Sequence, residues 1–449
     1  MQVIKYIFLV IFLLFIKNSS LSQTQINNEI QTFITLEQAM DLAENNSFNV
    51  KTAAQDLNYY DHSETLSYFN IGPSIGISGD LTFAEDQREN YNSNIPSQSE
   101  SVALEVNQPL TGLITELPNL MAKKSLRKAA NFDLFAERIK AREKAAEYFL
   151  NVQQAYRNID IKKTELTSIA DQLKETKILF ESGDENKTKI DLLQFQAKYI
   201  ESEIKLSQAE NELQNKISEL KTFLNINSNL KLSYENKSYF ELRNKPIEKL
   251  ENIIKKGKTN RNEIKSLENK ISAEKYNLLH SSSNYLPKIN AFARNSYEKS
   301  TQTASPNDPN YTYYPQTKFT YGLSLKWNIW DGGIIADNQM SILNKKRKLI
   351  LDKEQSELAI SQEIILAYNN FKNFNENLIK SKEAVQISEE ALKLSLLKYQ
   401  TGDLSASELI LVQNSLTNSK INLAEMRNNL DISWLKLQAS LGDIPKITQ

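Results

Sequence analysis

Cysteine is absent from the 449-residue chain, and histidine occurs twice, as His62 and His280. A disulfide framework, a thiolate metal centre and a cysteine nucleophile are therefore excluded, and two histidines are too few for a histidine-built metal site. Without a cysteine there is also nothing to carry an N-terminal lipid. Charge of one sign is lacking: 54 Lys+Arg against 55 Asp+Glu leave a net charge of −1, without the basic footprint of a nucleic-acid binder. No serine-hydrolase elbow, zinc-protease, phosphate-loop or dinucleotide glycine pattern occurs, so no catalytic residue, cofactor or metal ligand is expected, and the chain reads as a non-enzyme. Long apolar runs are missing too. The longest, Tyr6 to Ile16, falls short of the roughly 20 residues that a helix needs to span a bilayer.

That run has its own explanation. Lys5 precedes it, and Ser20-Leu21-Ser22 supplies small residues before a cut at Gln23, the layout of a secretory signal peptide over residues 1–22. The mature chain is expected to be exported, and any membrane crossing must be made by strands.

Glycine and proline are scarce and unevenly spread. Of 11 glycines and 10 prolines, most lie between Gly72 and Pro118 or between Pro287 and Gly333. Asn119 to Lys245 holds only Gly183, and Ile334 to Leu441 only Gly402. Residues that break helices are thus confined, and each sparse stretch predicts a long helical hairpin, over 113–224 and 334–441, turning near its single glycine. The order of short helix, breaker-rich segment and hairpin occurs twice, an internal duplication. Leu192, Phe195, Leu206, Leu213 and Leu220 recur as Leu409, Val412, Leu423, Leu430 and Leu437 at a constant offset of 217 residues (409 − 192). Alternating three- and four-residue spacings keep such a seam on one side of a helix, as in a coiled coil.

The breaker-rich segments alternate with period two. Ile75, Ile77, Leu81 and Phe83 alternate with small and polar residues, as do Val102, Leu104 and Val106. In the second copy Phe319, Tyr321, Leu323, Leu325, Trp327 and Ile329 do the same, with a weaker run from Ile289. Strands are expected at about 71–84, 100–110, 287–297 and 318–330, joined by long polar loops from Glu85 to Glu100 and from Lys299 to Thr317. Such runs suit tilted membrane strands, with Tyr313, Tyr314, Trp327 and Trp330 as interface aromatics against lipid. Four strands cannot close a barrel, and lipid tolerates no open sheet edge, so copies must share one. A homotrimer closes it with 12 strands.

Thr35-Leu36-Glu37-Gln38-Ala39 with Ala43-Glu44-Asn45-Asn46, Tyr285-Leu286-Pro287, Gly322-Leu323-Ser324-Leu325 running to Asp331-Gly332-Gly333, and Tyr399-Gln400-Thr401-Gly402 before Glu408-Leu409 and Gln413 together resemble the TolC-like outer membrane efflux protein family. The resemblance implies a mainly α fold with β: two repeats, coiled-coil hairpins forming an α-barrel, and four strands per chain in a trimeric 12-stranded transmembrane β-barrel. It places a first repeat at 23–226, an equatorial linker at 227–260, a second repeat at 261–442 and a tail at 443–449. It implies a passive exit duct of a tripartite efflux or type I secretion system, working with a periplasmic adaptor and an inner-membrane pump. The protein would sit in the outer membrane, reach into the periplasm and carry no lipid anchor. The other class compatible with export and hairpins is a periplasmic adaptor or coiled-coil scaffold without a channel.

The same resemblance implies residue roles. Gly183, Asp184, Gly402, Asp403 and Ser405 fall at the hairpin tips, where an adaptor docks. A gate carboxylate six residues after the second tip glycine is Glu408; three residues on, where another is usual, stands Leu411. Asp191 takes the place of a carboxylate that meets a tyrosine, here Tyr399, and an arginine, whose position is Leu404.

Overall fold

The computed structural model describes residues 33–87, 94–183, 186–226, 231–232, 248–302 and 312–442. The expected signal peptide, the tail and Asp184 lie outside them.

A two-residue strand β1 (Phe33–Ile34) leads into α1 (Leu36–Asn46) and α2 (Phe48–Phe69). The strands β2 (Ser74–Gln87) and β3 (Asn94–Pro109) follow, then α3 (Gly112–Thr115), α4 (Leu117–Glu181) and α5 (Lys189–Leu224). After β4 (Lys231–Leu232), which pairs in parallel with β1, the pattern returns as α6 (Leu250–Asn260), α7 (Asn262–Ser283), β5 (Lys288–Gln302), β6 (Thr312–Lys326), α8 (Ile334–Thr401) and α9 (Ala406–Ser440). The copies match in length: α1 and α6 have 11 residues each, α2 and α7 have 22, and the hairpin arms have 65 and 36 against 68 and 35. The α6 helix corrects the sequence reading, which left 227–260 as linker. Its run Leu250-Glu251-Asn252-Ile253-Ile254 carries one apolar stripe, and Ile253 and Gly257 bury it against the second core.

Local chemistry sets the element ends. The Thr35 hydroxyl accepts from the Gln38 backbone N–H while the Gln38 side chain accepts from the Thr35 N–H, a capping box that starts α1. Pro118 sits in the first turn of α4, where no N–H is needed. Gly332 and Gly333 take φ of 75° and 89°, and Asp331 accepts from the Gly333 and Ile335 N–H groups to open α8. At 1.5 Å per residue α4 is about 100 Å long, far beyond one compact core.

The core is accordingly distributed along the hairpins. Near the sheet-proximal half, Met40, Phe149, Leu150, Leu220 and Leu224 join α1, α4 and α5. Arg142 reaches from α4 to Glu37, Asp41 and Glu44 of α1, at 2.7, 2.5 and 3.2 Å. Ile360, Ile364, Phe371, Leu430 and Leu437 form the second core, and a third lies at the far tips.

The four long strands form one antiparallel sheet in the order β2-β3-β5-β6. One repeat contributes β2 and β3, the other β5 and β6, and β3 pairs with β5 from Ser97↔Gln302 to Pro109↔Asn290. Ile75, Ile77, Phe83, Phe319, Tyr321 and Leu323 are all exposed, an apolar face open on one side of the sheet. The strands extend into the segments expected as loops: Gln87 pairs with Asn94, and Gln302 with Thr312. Ladder hydrogen bonds need only backbone groups, so polar sequence beyond the apolar layer continues the hairpin without an alternating signature. At the other end β6 stops at Lys326, short of the expected 330.

Candidate functional site

The far tips of the two hairpins meet within one chain. Gly183 (φ 85°) follows α4, and Gly402 (φ 84°) follows α8. At the second tip the Asp403 N–H donates to the Lys398 carbonyl at 2.9 Å and the Gly402 N–H to the Tyr399 carbonyl at 3.3 Å, which closes the helix end. A Cβ on Gly402 would lie 2.9 Å from Cγ of Asn186, so the two turns are in contact. The Asp403 carboxylate accepts from the Thr401 hydroxyl at 2.7 Å.

Both returning helices open with the same device. Thr188 and Asp191 form a capping box at the start of α5, and Ser405 and Glu408 form one at the start of α9. The two carboxylates are thus equivalent positions of the duplication. The Ser405 N–H and hydroxyl donate to Glu408 Oε2 at 3.0 and 2.7 Å, and these bonds hold the exposed carboxyl below the usual glutamate range. Burial pushes the Asp191 carboxyl up, but the Thr188 hydroxyl and N–H, the Ala406 N–H and the Lys187 charge outweigh it and hold the group low. The Ala406 bond, at 3.4 Å, joins the hairpins.

Tyr399 is the pivot of the contact. It is buried among Phe195, Ala406 and Leu409, with its ring edge-to-face on Phe195 at 5.7 Å between centroids. Burial raises its phenol pKa. Its hydroxyl shares a 2.9 Å hydrogen bond with Thr176 rather than with Asp191, which corrects the expected pairing. At the tips a cation joins the hairpins, Lys187: its ammonium lies 3.5 Å from the Tyr399 ring centroid and donates to the Tyr399 carbonyl, and the residue is only 4% exposed. Leu404, at the expected arginine position, packs against the Phe195–Leu409 cluster instead. Leu411 is exposed. Lys187 and Thr176 escaped the sequence reading because their partner is on the other hairpin, whereas the two capping boxes are readable as Thr188-x-x-Asp191 and Ser405-x-x-Glu408.

At the sheet end, Tyr313 and Tyr314 stand near the free end of β6, opposite Thr301 and Ser300, while Trp327 and Trp330 lie just past its other end. The Trp327 indole donates to the Tyr285 carbonyl at 3.1 Å. Among the described residues no helix is long and apolar enough to cross a membrane, and no cluster of His, Cys, Asp or Glu could hold a metal.

Two hairpins with joined tips and a four-stranded sheet with an exposed apolar face make up a duplicated fold. The outer membrane efflux protein family model matches residues 39–225 and 253–443, and the chain belongs to that family. Members are outer-membrane channels that reach into the periplasm, form homotrimers and work with adaptor and pump partners. The fold is similar to that of CusC, at 15% identity and a TM-score of 0.76 over 90% of this chain and 91% of that one. It is also similar to the CmeC outer membrane channel of Campylobacter jejuni, at 15% identity and TM-score 0.73 over 93% and 90% of the two chains. The MtrE outer membrane channel of Neisseria gonorrhoeae in its open state matches at 14% identity and TM-score 0.71 over 91% and 88%. No curated protein matches the sequence.

Proposed function

We propose that this chain is the passive exit duct of a tripartite efflux or type I secretion system, receiving substrate from an inner-membrane pump through a periplasmic adaptor and releasing it across the outer membrane. The observation that carries this reading is the pairing of an edge-open sheet, whose apolar face requires lipid, with two hairpins roughly 100 Å long joined at their tips. An adaptor or scaffold without a channel leaves that apolar face unexplained. The adaptor docks at the tips around Gly183, Gly402, Asp403 and Ser405, and the gate lies beside them.

Closure in this reading rests on the contact between hairpins within each subunit. Lys187 supplies the cation that the expected arginine position lacks, Tyr399 receives it, and Asp191 holds the start of α9 through Ala406. Three Glu408 carboxylates ring the constriction and favour cations, since converging like charges focus the potential in a narrow pore. Reversal potentials across a KCl gradient should show a cation preference in the native channel that Glu408→Gln reduces several-fold. Unchanged selectivity would remove Glu408 from the gate.

A further inference from the structure

The sheet carries a second charge feature, at the end opposite the tip. Phe319, Tyr321, Leu323 and Leu325 are 65–76% exposed and occupy alternate positions of β6. Lys326, Ser324, Gly322, Thr320 and Lys318 occupy the other face, opposite Lys288, Asn290, Phe292, Arg294 and Ser296 of β5. In a barrel the apolar face meets lipid, so the polar face lines the lumen.

The last rung of this ladder at the helix side is Lys288↔Lys326. Directly opposed residues of an antiparallel pair share a face, and like charges there are destabilising. Both lysines are exposed, and among the described residues neither makes an ion pair. Two carboxylates of adjoining segments are engaged elsewhere. Asp331 accepts from two backbone N–H groups of the α8 start, and Glu105 accepts from Asn107 at 2.6 Å and stands opposite Arg294.

The duplication supplies an internal control. Pro73 precedes Ser74 as Pro287 precedes Lys288, and the corresponding last rung of the first hairpin is Ser74↔Asn107. The fold therefore closes this rung with neutral polar residues, and the strand geometry does not call for two ammonium groups.

We propose that Lys288 and Lys326 form an anion-binding collar at the helix-side mouth of the barrel lumen, taking carboxylate or phosphate groups on molecules in transit. Three copies around the trimer converge six ammonium groups on one level of the pore. The collar rests on the duct reading, because only a continuous lumen brings cargo to it. It divides the pore electrostatically: Glu408 at the tip favours cations, and the collar holds anions beyond it.

The test uses the full-length trimer in planar bilayers, with pyrophosphate added from the barrel side. Pyrophosphate should block the native channel, more weakly as KCl screens the charges. Lys288→Gln with Lys326→Gln should still form open channels but need at least about tenfold more pyrophosphate for half-block. Equal block in the double variant would overturn the collar. Thermal unfolding in detergent gives an arm independent of conduction: pyrophosphate should raise the midpoint of the native trimer and leave the double variant unmoved. Absent conductance with that shift intact would sink the duct and spare the anion site; absent block together with absent shift would sink the site alone.

Discussion

At the residue scale, a few side chains decide whether the two tips stay together. Lys187 is buried on the ring and carbonyl of Tyr399, where a cation has both a π-face and a strong acceptor. Asp191 contributes differently, and its pKa gives a signed prediction. Its folded-state value is depressed, so its stabilisation is fully present above the unfolded value of about 3.9 and is lost as pH falls through the lower folded value. At neutral pH Asp191→Asn should therefore open more readily than the native channel, and the difference should persist through pH 5 and vanish only below the ordinary aspartate range. Conductance measured against pH checks this; a difference already gone near pH 5, or absent at pH 7, contradicts it. Of these residues, Asp191, Tyr399 and Glu408 were readable from motif order. Lys187 was not, because nothing in a lysine two residues before a capping-box helix reports a tyrosine on another hairpin.

At the scale of elements, the duplication was legible because glycine and proline are so confined, and Phe195, Leu409, Leu430 and Leu437 of the seams are indeed buried. Strand lengths were less legible. Pro96 and Pro315 read as breakers yet lie within β3 and β6, paired with Glu85 and Lys299 near the free ends of the hairpins. The α6 helix was hidden by its polar surroundings, although its length equals that of α1. The two tip glycines differ in a way that only the packing shows. Both have positive φ, but nothing lies within 4 Å of a Cβ on Gly183, whereas one on Gly402 meets Asn186 at 2.9 Å. Gly183→Ala should cost about 1–2 kcal/mol from backbone strain alone. Gly402→Ala should cost more and also loosen the tips, seen as a larger drop in unfolding midpoint and a higher channel conductance. Equal effects would mean that the two turns do not touch.

At the scale of the whole molecule, a single chain is incomplete. The edge strands β2 and β6 each have one partner, and an edge left open in hydrocarbon strands its N–H and C=O groups at several kcal/mol each. Ile75, Ile77, Tyr321 and Leu323 likewise face away from any packed core. Outside the membrane, exposed Ile365, Leu366, Ile379, Ile387, Leu394 and Leu397 run along α8, surface that a neighbouring helical hairpin can bury. Both features call for closure by further copies, which family membership supplies as a homotrimer. The decisive measurement is the protein mass of the particle extracted from outer membranes, by light scattering in detergent. Three chains per particle, released only by detergent, is the predicted result. A single chain that stays in solution without detergent would contradict it.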